Sequence, residues 1–479
     1  MLAPDTILTM LAGLAVFVTI AAVILTTTVR PAIAVWVGLL LLFFGNSFAG
    51  TSSIKNEAVS TFQFIGRFLP TLGILLLTVA VFIRRSLNGV TVFKGRGLLI
   101  RYWPFAVLMV LSAAYNESLL RDLVTAGATY FRYPLFFVLV VSSGLRGEEY
   151  KRVLHALVWL SLLQIPITLY ERLIIGRWAA DINGSLGGNH GLVAVLLVAQ
   201  TLLLSRWFAS ERRNYKDLIL VVALLIPSLV GDIKVGVIYL VVLVAYLSVR
   251  SVGWTRSLKK LAGAMAAVAA AITILSFSDS RVAEHVHSFT LIHTMGGYRE
   301  EIDWRDTNLA SFGSIGRLTI LPLSFPLLLD DPIRFLLGYG PESARGGLTS
   351  GSGAVGKVCR KLAEIGILCR GPQSFKSLME YGVLGFLLQV FPLVWLWKTV
   401  GTRLRKQDGV ENRVVSHSFD ASCLLYVVLQ VFYIGAWRMD WHSFPFWIVA
   451  ALGYMQAFRS NATELEVERA GAGGSRAWN

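Results

Sequence analysis

Two charged residues interrupt a long apolar stretch in the middle of the chain, SLVGDIKVGVIYL at residues 228–240. Asp232 and Lys234 lie there between two runs that otherwise carry almost no charge. A charged side chain in the hydrocarbon core of a bilayer costs about 2.5–3.5 kcal/mol on insertion scales, so charged residues within apolar runs are usually functional. The ammonium group of Lys234 could hold an anionic ligand, or it could pair with Asp232 at the turn between two helices.

Arg317 is a second cation at the start of an apolar segment, in SIGRLTILPLSFPLLLDDP. A lysine offers a compact charge, and an arginine offers a planar fork that bridges two phosphate oxygens. In a partly dehydrated site, such residues also stabilise the charge that develops on a leaving group. Lys234 and Arg317 therefore predict a diphosphate site that uses no metal. The alternative is that Arg317 pairs with Asp330 or Asp331.

The last predicted hairpin, WRMDWHSFPFW, combines tryptophans with Arg438, Asp440 and His442. Tryptophans gather at the interfaces of a bilayer, and this preference accounts for their presence here. It does not account for the three polar residues. We therefore predict that these residues contact a sugar or a lipid headgroup.

The elements that must position all these residues are membrane-spanning helices. The chain has 479 residues, of which 55% are hydrophobic and 15% are charged, and its mean hydropathy is +0.63. Its apolar runs reach the roughly 17–25 residues that a helix needs to cross a bilayer. The net charge of +15 lies mostly in short loops between these runs. This distribution follows the positive-inside rule and argues against nucleic acid as a partner.

We predict an all-α polytopic membrane protein with about twelve to thirteen transmembrane helices. Basic loops such as RRSLNGVTVFKGRG, RGEEYKR and KTVGTRLRKQ would face the cytoplasm together with the C-terminus, and the N-terminus would lie outside. The predicted spans are 7–29, 32–50, 69–83, 97–115, 131–145, 153–170, 190–207, 217–231, 235–249, 261–277, 376–397, 420–436 and 443–458.

One long segment, 278–375, separates an N-terminal transmembrane bundle (1–277) from the C-terminal transmembrane helices (376–458), which a cytoplasmic tail (459–479) follows. It carries ten Lys/Arg and ten Asp/Glu, as a long translocated loop can, and we predict that it is periplasmic. The prolines of ILPLSFPLLLDDP disfavour a straight crossing, so this part would lie on the membrane or dip into it. GYGPESARGGLTSGSGAVG, which follows, is typical of a mobile binding loop.

Segment 278–375 contains three histidines that could bind a metal and two cysteines that could form a disulfide. His285, His287 and His293 do not have the spacing of a metal site, so we predict no metal there. Cys359 and Cys369, in CRKLAEIGILC, could form a disulfide in an oxidising compartment. A single helix between them would give poor geometry for that bond.

Four segments resemble the O-antigen ligase and polymerase superfamily, whose members move glycans from a polyprenyl diphosphate at the outer face of the bacterial inner membrane. NGSLGGNHGLVAVLL resembles the family's turn before a mid-chain span, and SLVGDIKVGVIYL resembles its Ser-Arg-Gly hairpin. PIRFLLGYG is similar to its P-x-x-G-x-G stretch, and GPQSFKSLMEYGVLGFLLQ is similar to the segment after its large loop. The resemblance covers roughly residues 130–400 and rests on the order of these segments.

This resemblance implies a GT-C-like fold and a set of residue roles. Lys234 stands where the family usually has Arg, and Arg317 matches a family Arg, so both would bind the donor diphosphate as the catalytic residues. Gln373 stands where the ligases carry His, which favours a polymerase. Glu380 matches a family Glu and would order the large loop. The candidate substrate-binding residues are Arg132, Tyr339, Gln373, Glu380, Arg438, Asp440 and His442.

The implied function is that of a surface polysaccharide polymerase. It would join oligosaccharide repeat units on undecaprenyl diphosphate at the periplasmic face, with inversion and without a metal or other cofactor. Its partners would be the lipid-linked donor and acceptor, the lipid bilayer, a chain-length regulator and a flippase. Two alternatives stay open: a ligase that transfers finished glycan to a lipid or protein, and a transporter of a lipid-linked sugar or an anion. Against transport, the chain shows no inverted repeat.

Overall fold

The computed structural model describes residues 30, 32–44, 57–88, 95–145, 147–176, 182, 189–210, 214–231, 234–252, 320–329, 331–344, 373–432 and 440–458. Within these ranges the regular structure is helical throughout, with no strand. In chain order the helices are α1 (Ala32–Phe44), α2 (Glu57–Leu87), α3 (Arg96–Tyr115), α4 (Leu120–Ser142), α5 (Gly147–Leu162), α6 (Gln164–Leu173), α7 (Asn189–Ala209), α8 (Tyr215–Ala223), α9 (Ile226–Val230), α10 (Lys234–Val252), α11 (Ile320–Leu329), α12 (Pro332–Leu337), α13 (Gln373–Arg405), α14 (Val410–Phe432) and α15 (Asp440–Ala457).

Five helical stretches among the described residues are long and apolar enough to cross a bilayer. They correspond to α3, α4, the consecutive helices α5 and α6, α7, and α13. The chain thus has the architecture of an α-helical membrane protein. Their bounds are Arg96–Tyr115, Leu120–Ser142, Glu148–Leu173, Gly191–Ala209 and Ser374–Arg405.

Helix α3 has one side that is buried against other helices and one side that is exposed. Tyr102 and Phe105 are buried against other helices, whereas Ile100 and Trp103 are exposed by 63% and 68%. Soluble proteins rarely expose large contiguous apolar patches, because the contact with water is unfavourable. The exposed side of α3 therefore suits contact with lipid chains.

Helix α7 lies at the centre of the described helices. It packs against α5, α8, α10, α14 and α15, and every residue from Leu192 to Ala199 is buried. A helix that is apolar on all sides is expected in such a position. Next to it, α4 packs against α15, where the rings of Phe137 and Trp447 meet edge to face with centroids 6.0 Å apart.

Polar contacts join several basic loops at one end of the helices. Arg85 Nη1, at the end of α2, donates to Ser142 O at the end of α4 over 3.1 Å. Lys151 Nζ, near the start of α5, lies 3.3 Å from Glu411 Oε2 at the start of α14. The positive-inside rule assigned these loops to the same side, and the structure places them together. Which compartment this end faces stays a prediction.

Most predicted spans coincide with helices, but several helices are longer than the apolar runs. Helix α4 begins at Leu120 rather than at residue 131, and α13 covers Gln373–Arg405 rather than 376–397. Hydropathy marks only the apolar part of a helix, whereas the backbone hydrogen bonds continue into polar residues. The predicted spans 7–29 and 261–277 lie outside the described residues.

Candidate functional site

Two chain segments that are far apart in sequence lie against each other beside the C-terminal end of α3. They are residues 337–340, at the C-terminal end of α12, and residues 379–382, within α13; we call this arrangement the crossing. Tyr339 N donates to Met379 O over 2.8 Å, and Gly340 N donates to Glu380 O over 3.0 Å. Non-helical backbone inside a membrane protein is tolerated only where its polar groups find such partners.

Two glycines make the crossing possible. Gly338 has φ 71° and ψ −165°, and Gly382 has φ 66° and ψ −171°. This conformation is essentially restricted to glycine. A Cβ atom on Gly338 would overlap the backbone of Glu380 and Tyr381, and one on Gly382 would overlap the backbone of Leu336. Both glycines are therefore required for their dihedral angles and for the close approach of the two backbones.

Helix α3 holds the crossing with two buried polar side chains. Ser112 Oγ lies 2.6 Å from Leu337 O and 3.3 Å from Glu380 O, so its proton can be donated to either carbonyl. Asn116 Nδ2 donates to Gly338 O over 3.1 Å. Each hydrogen bond of this kind contributes about 0.5–1.5 kcal/mol to stability. Together they fix the crossing to the end of α3.

The side chain of Glu380 bonds to one ring of an aromatic cluster. It is fully buried, and Tyr130 Oη donates to its Oε2 over 3.3 Å. The rings of Phe105, Tyr130 and Tyr381 meet edge to face, with centroids 5.2–5.4 Å apart. Such aromatic pairs contribute about 0.5–1.5 kcal/mol each beyond their burial. A carboxylate held in this way is suited to order the chain around it.

Tyr339 connects the crossing to α11 and α12. Its hydroxyl donates to Leu327 O over 2.7 Å, and the guanidinium of Arg334 lies 5.0 Å from the centre of its ring. Asp331 caps the start of α12, where its Oδ1 accepts from Ile333 N over 2.9 Å. This backbone hydrogen bond is the main reason why the pKa of Asp331 is lowered. The carboxylate also lies 3.6 Å from Arg334 Nε, so it already has a cation beside it.

The hairpin of SLVGDIKVGVIYL is formed by α9 and α10. Lys234 is the first residue of α10, and Gly231 directly follows α9. A Cβ atom on Gly236 would lie only 2.9 Å from Ser228 Oγ, which shows how closely the two helices pack. Asp232, the predicted alternative partner of Lys234, lies outside the described residues.

The structure brings together two of the predicted site residues, Tyr339 and Glu380, at the crossing. Arg132, a candidate substrate-binding residue at the start of the predicted span 131–145, is only 6% exposed and lies within α4, which already begins at Leu120. Gln373 and Asp440 are the first residues of α13 and α15, and His442 follows in α15. The predicted residues that lie outside the described ranges are Arg317, Arg438, His285, His287, His293, Cys359 and Cys369.

Sequence reasoning missed three residues that build the crossing: Ser112, Asn116 and Tyr130. Ser112 and Asn116 are polar residues at the end of an apolar helix, and polar residues at such positions often bond to neighbouring backbone. That spacing was visible in LSAAYNES, but nothing in it identifies the partner segment. Tyr130 lies in an aromatic-rich run where no single ring stands out.

Comparison with protein-family models and with curated proteins finds no match for this chain. Within the described ranges there is no group of three or more His, Cys, Asp or Glu residues that could hold a metal ion. The arrangement at the crossing is therefore interpreted from its own residues and contacts.

Proposed function

We propose that this protein is a polymerase of a bacterial surface polysaccharide. It joins oligosaccharide repeat units carried on undecaprenyl diphosphate, at the outer face of the inner membrane. The donor is the growing chain, and a hydroxyl group of a new lipid-linked repeat unit is the acceptor. The reaction inverts the anomeric centre and uses no metal.

The crossing is the observation that carries this proposal. It joins PIRFLLGYG to GPQSFKSLMEYG, two of the four segments on which the resemblance to the O-antigen ligase and polymerase superfamily rests. The described chain stops at Ala344 and resumes at Gln373. Both positions lie close to the crossing, because Ala344 packs in one cluster with Phe375 and Met379.

In this mechanism Lys234 and Arg317 hold the diphosphate of the donor. The acceptor oxygen forms a bond to the anomeric carbon while the bond from that carbon to the diphosphate oxygen breaks. Diphosphate leaves with the bonding electron pair, and its charge is stabilised by the two cations. Because diphosphate is a good leaving group, positioning and charge stabilisation can provide much of the rate. Tyr339 and Glu380 hold the large loop in place.

The decisive experiment uses the purified full chain in lipid nanodiscs with EDTA. The probe is a polyprenyl-diphosphate-linked repeat unit from the same organism, and the products are separated on a gel. We expect a ladder of products from the wild type and a loss of roughly 10²–10³-fold in rate for Arg317→Ala, as when a transition-state donor is removed. Arg121→Ala is the matched control, since Arg121 is an exposed cation in the first turn of α4 and should leave the ladder unchanged.

The other possible results would contradict the proposal or identify a different activity. A normal ladder from Arg317→Ala would contradict the diphosphate role of that residue. A single transfer to an added lipid or protein acceptor, in place of a ladder, would identify a ligase. No product from the wild type, with substrates proven competent, would contradict the polymerase proposal and make transport the next activity to measure.

A further inference from the structure

The chain leaves the crossing through a turn, Gly340–Ala344, that is buried along its whole length. Ser343 N donates to Gly340 O over 3.3 Å and closes the turn. Loops normally run over the surface, because a buried loop must find partners for its polar groups. This turn carries a carboxylate and a hydroxyl, at Glu342 and Ser343, so its burial needs a reason.

The backbone of Glu342 is in the left-handed region, with φ 59°, and the residue is only 9% exposed. A non-glycine residue in this region is uncommon, and buried examples are found mainly at active sites and ligand clamps. Among the described residues, Glu117 is the other non-glycine residue with positive φ, and it lies in an exposed turn after α3. Glycine would relieve the strain at position 342. The presence of glutamate there indicates a use for its side chain.

Ser343 provides a second and independent observation. It is 5% exposed, and its hydroxyl has no hydrogen-bond partner among the described parts of the chain. The great majority of buried polar groups in proteins are hydrogen-bonded, so this hydroxyl is available to a bound group or to water. The open hydroxyl is adjacent in sequence to the strained glutamate.

The turn is held rigidly on both sides. Gly340 is bonded to Glu380 O on one side, and on the other it approaches Asn116 so closely that a Cβ atom would lie 3.0 Å from the asparagine Cβ. Ala344 packs into the cluster of α13 that contains Phe375. Functional groups work best on a support that is fixed in this manner.

We propose that this turn is the acceptor subsite, where Ser343 binds a sugar hydroxyl and Glu342 is the general base. This inference rests on the polymerase function proposed above. The acceptor hydroxyl gives its proton to the carboxylate of Glu342, and its oxygen forms the new bond to the anomeric carbon of the donor. The bond from that carbon to the diphosphate breaks, and diphosphate leaves with the electron pair. Glu342 then releases the proton to water.

The test compares Glu342→Gln, Glu342→Gly and the matched control Glu117→Gly in the nanodisc assay with the lipid-linked repeat unit. General base catalysis contributes roughly 10²–10⁴-fold, so both changes at position 342 should lower the rate by that factor. Glu342→Gly should melt no lower than the wild type, because glycine fits the left-handed backbone. Glu117→Gly should keep full activity.

A normal ladder from Glu342→Gly would overturn the inference, because a purely structural residue at this φ is replaceable by glycine. That result would leave the polymerase function standing, since the ladder is its evidence. If the wild type forms no ladder, the polymerase function fails and the base role falls with it. Should Glu342→Gln not accumulate in the membrane, Glu342→Gly decides the question alone.

Discussion

At the scale of single residues, Gly382 shows how one position controls where a membrane helix can break. We expect Gly382→Ala to lower the stability of the protein by more than the roughly 1–3 kcal/mol that a forbidden backbone conformation costs by itself. The excess arises because its Cβ atom would overlap the backbone of Leu336. The measurement is the thermal unfolding midpoint of the purified protein in detergent.

Gly144→Ala is the matched control for that change. Gly144 has φ +72°, close to the +66° of Gly382, but a Cβ atom there would meet nothing within 4 Å. It should therefore show the cost of an alanine at positive φ without any steric overlap. An equal loss of stability in the two variants would mean that the two backbones do not approach as closely as the structure shows.

At the scale of the elements, one carboxylate joins three helices. Asp420 of α14 accepts from Arg250 Nη2 of α10 over 2.9 Å and from Trp397 Nε1 of α13 over 3.0 Å. Its side chain is 2% exposed. Removal of one partner from a buried ion pair leaves an uncompensated charge and usually costs about 3–5 kcal/mol. We expect a loss of this size for Asp420→Ala, measured as thermal unfolding in detergent.

Two further variants define the cause of that loss. Glu148→Gln removes the exposed pair between Glu148 and Lys151, in which the Glu148 side chain is 78% exposed, and it should leave the unfolding midpoint nearly unchanged because water screens the pair. The double variant Asp420→Leu, Arg250→Met should recover much of the lost stability, because it leaves no buried charge alone. A double variant as unstable as Asp420→Ala would show that packing, and not the charge, is responsible.

At the scale of the whole molecule, the loops lie at two opposite ends of the helices. Glu117 lies in the turn between α3 and α4, beside the crossing, and Asp408 lies between α13 and α14 at the opposite end. The basic loops lie with Asp408, so the positive-inside rule assigns that end to the cytoplasm. The crossing would then face outward.

Single cysteines test this orientation on a chain in which Cys359, Cys369 and Cys423 are replaced. A thiol reagent that does not cross membranes should label Glu117→Cys in intact cells. It should label Asp408→Cys only after the cells are permeabilised. The reverse pattern would place the crossing on the cytoplasmic side, where the proposed lipid-linked substrates are not polymerised, and the proposed function would have to be abandoned.

Much of the helical layout could be predicted from the sequence. A bilayer of fixed thickness demands apolar runs of fixed length, so the positions of α3, α7 and α10 were visible as hydropathy alone. The starts of α4 and α14 were not, because helical hydrogen bonding continues into residues that hydropathy counts as loop. The burial of Arg132 followed from this extension and could not be read locally.

The sequence by itself determined that the chain is a helical membrane protein and where most of its described helices lie. Only the tertiary structure decided that Tyr339 and Glu380 meet, and that Ser112 and Asn116 hold the crossing. The reason is physical: hydropathy and local periodicity act within one segment, whereas the crossing depends on the joint packing of α3, α12 and α13. The buried turn with Glu342 could not be predicted from the sequence for the same reason, since its burial and its φ exist only once those helices are assembled.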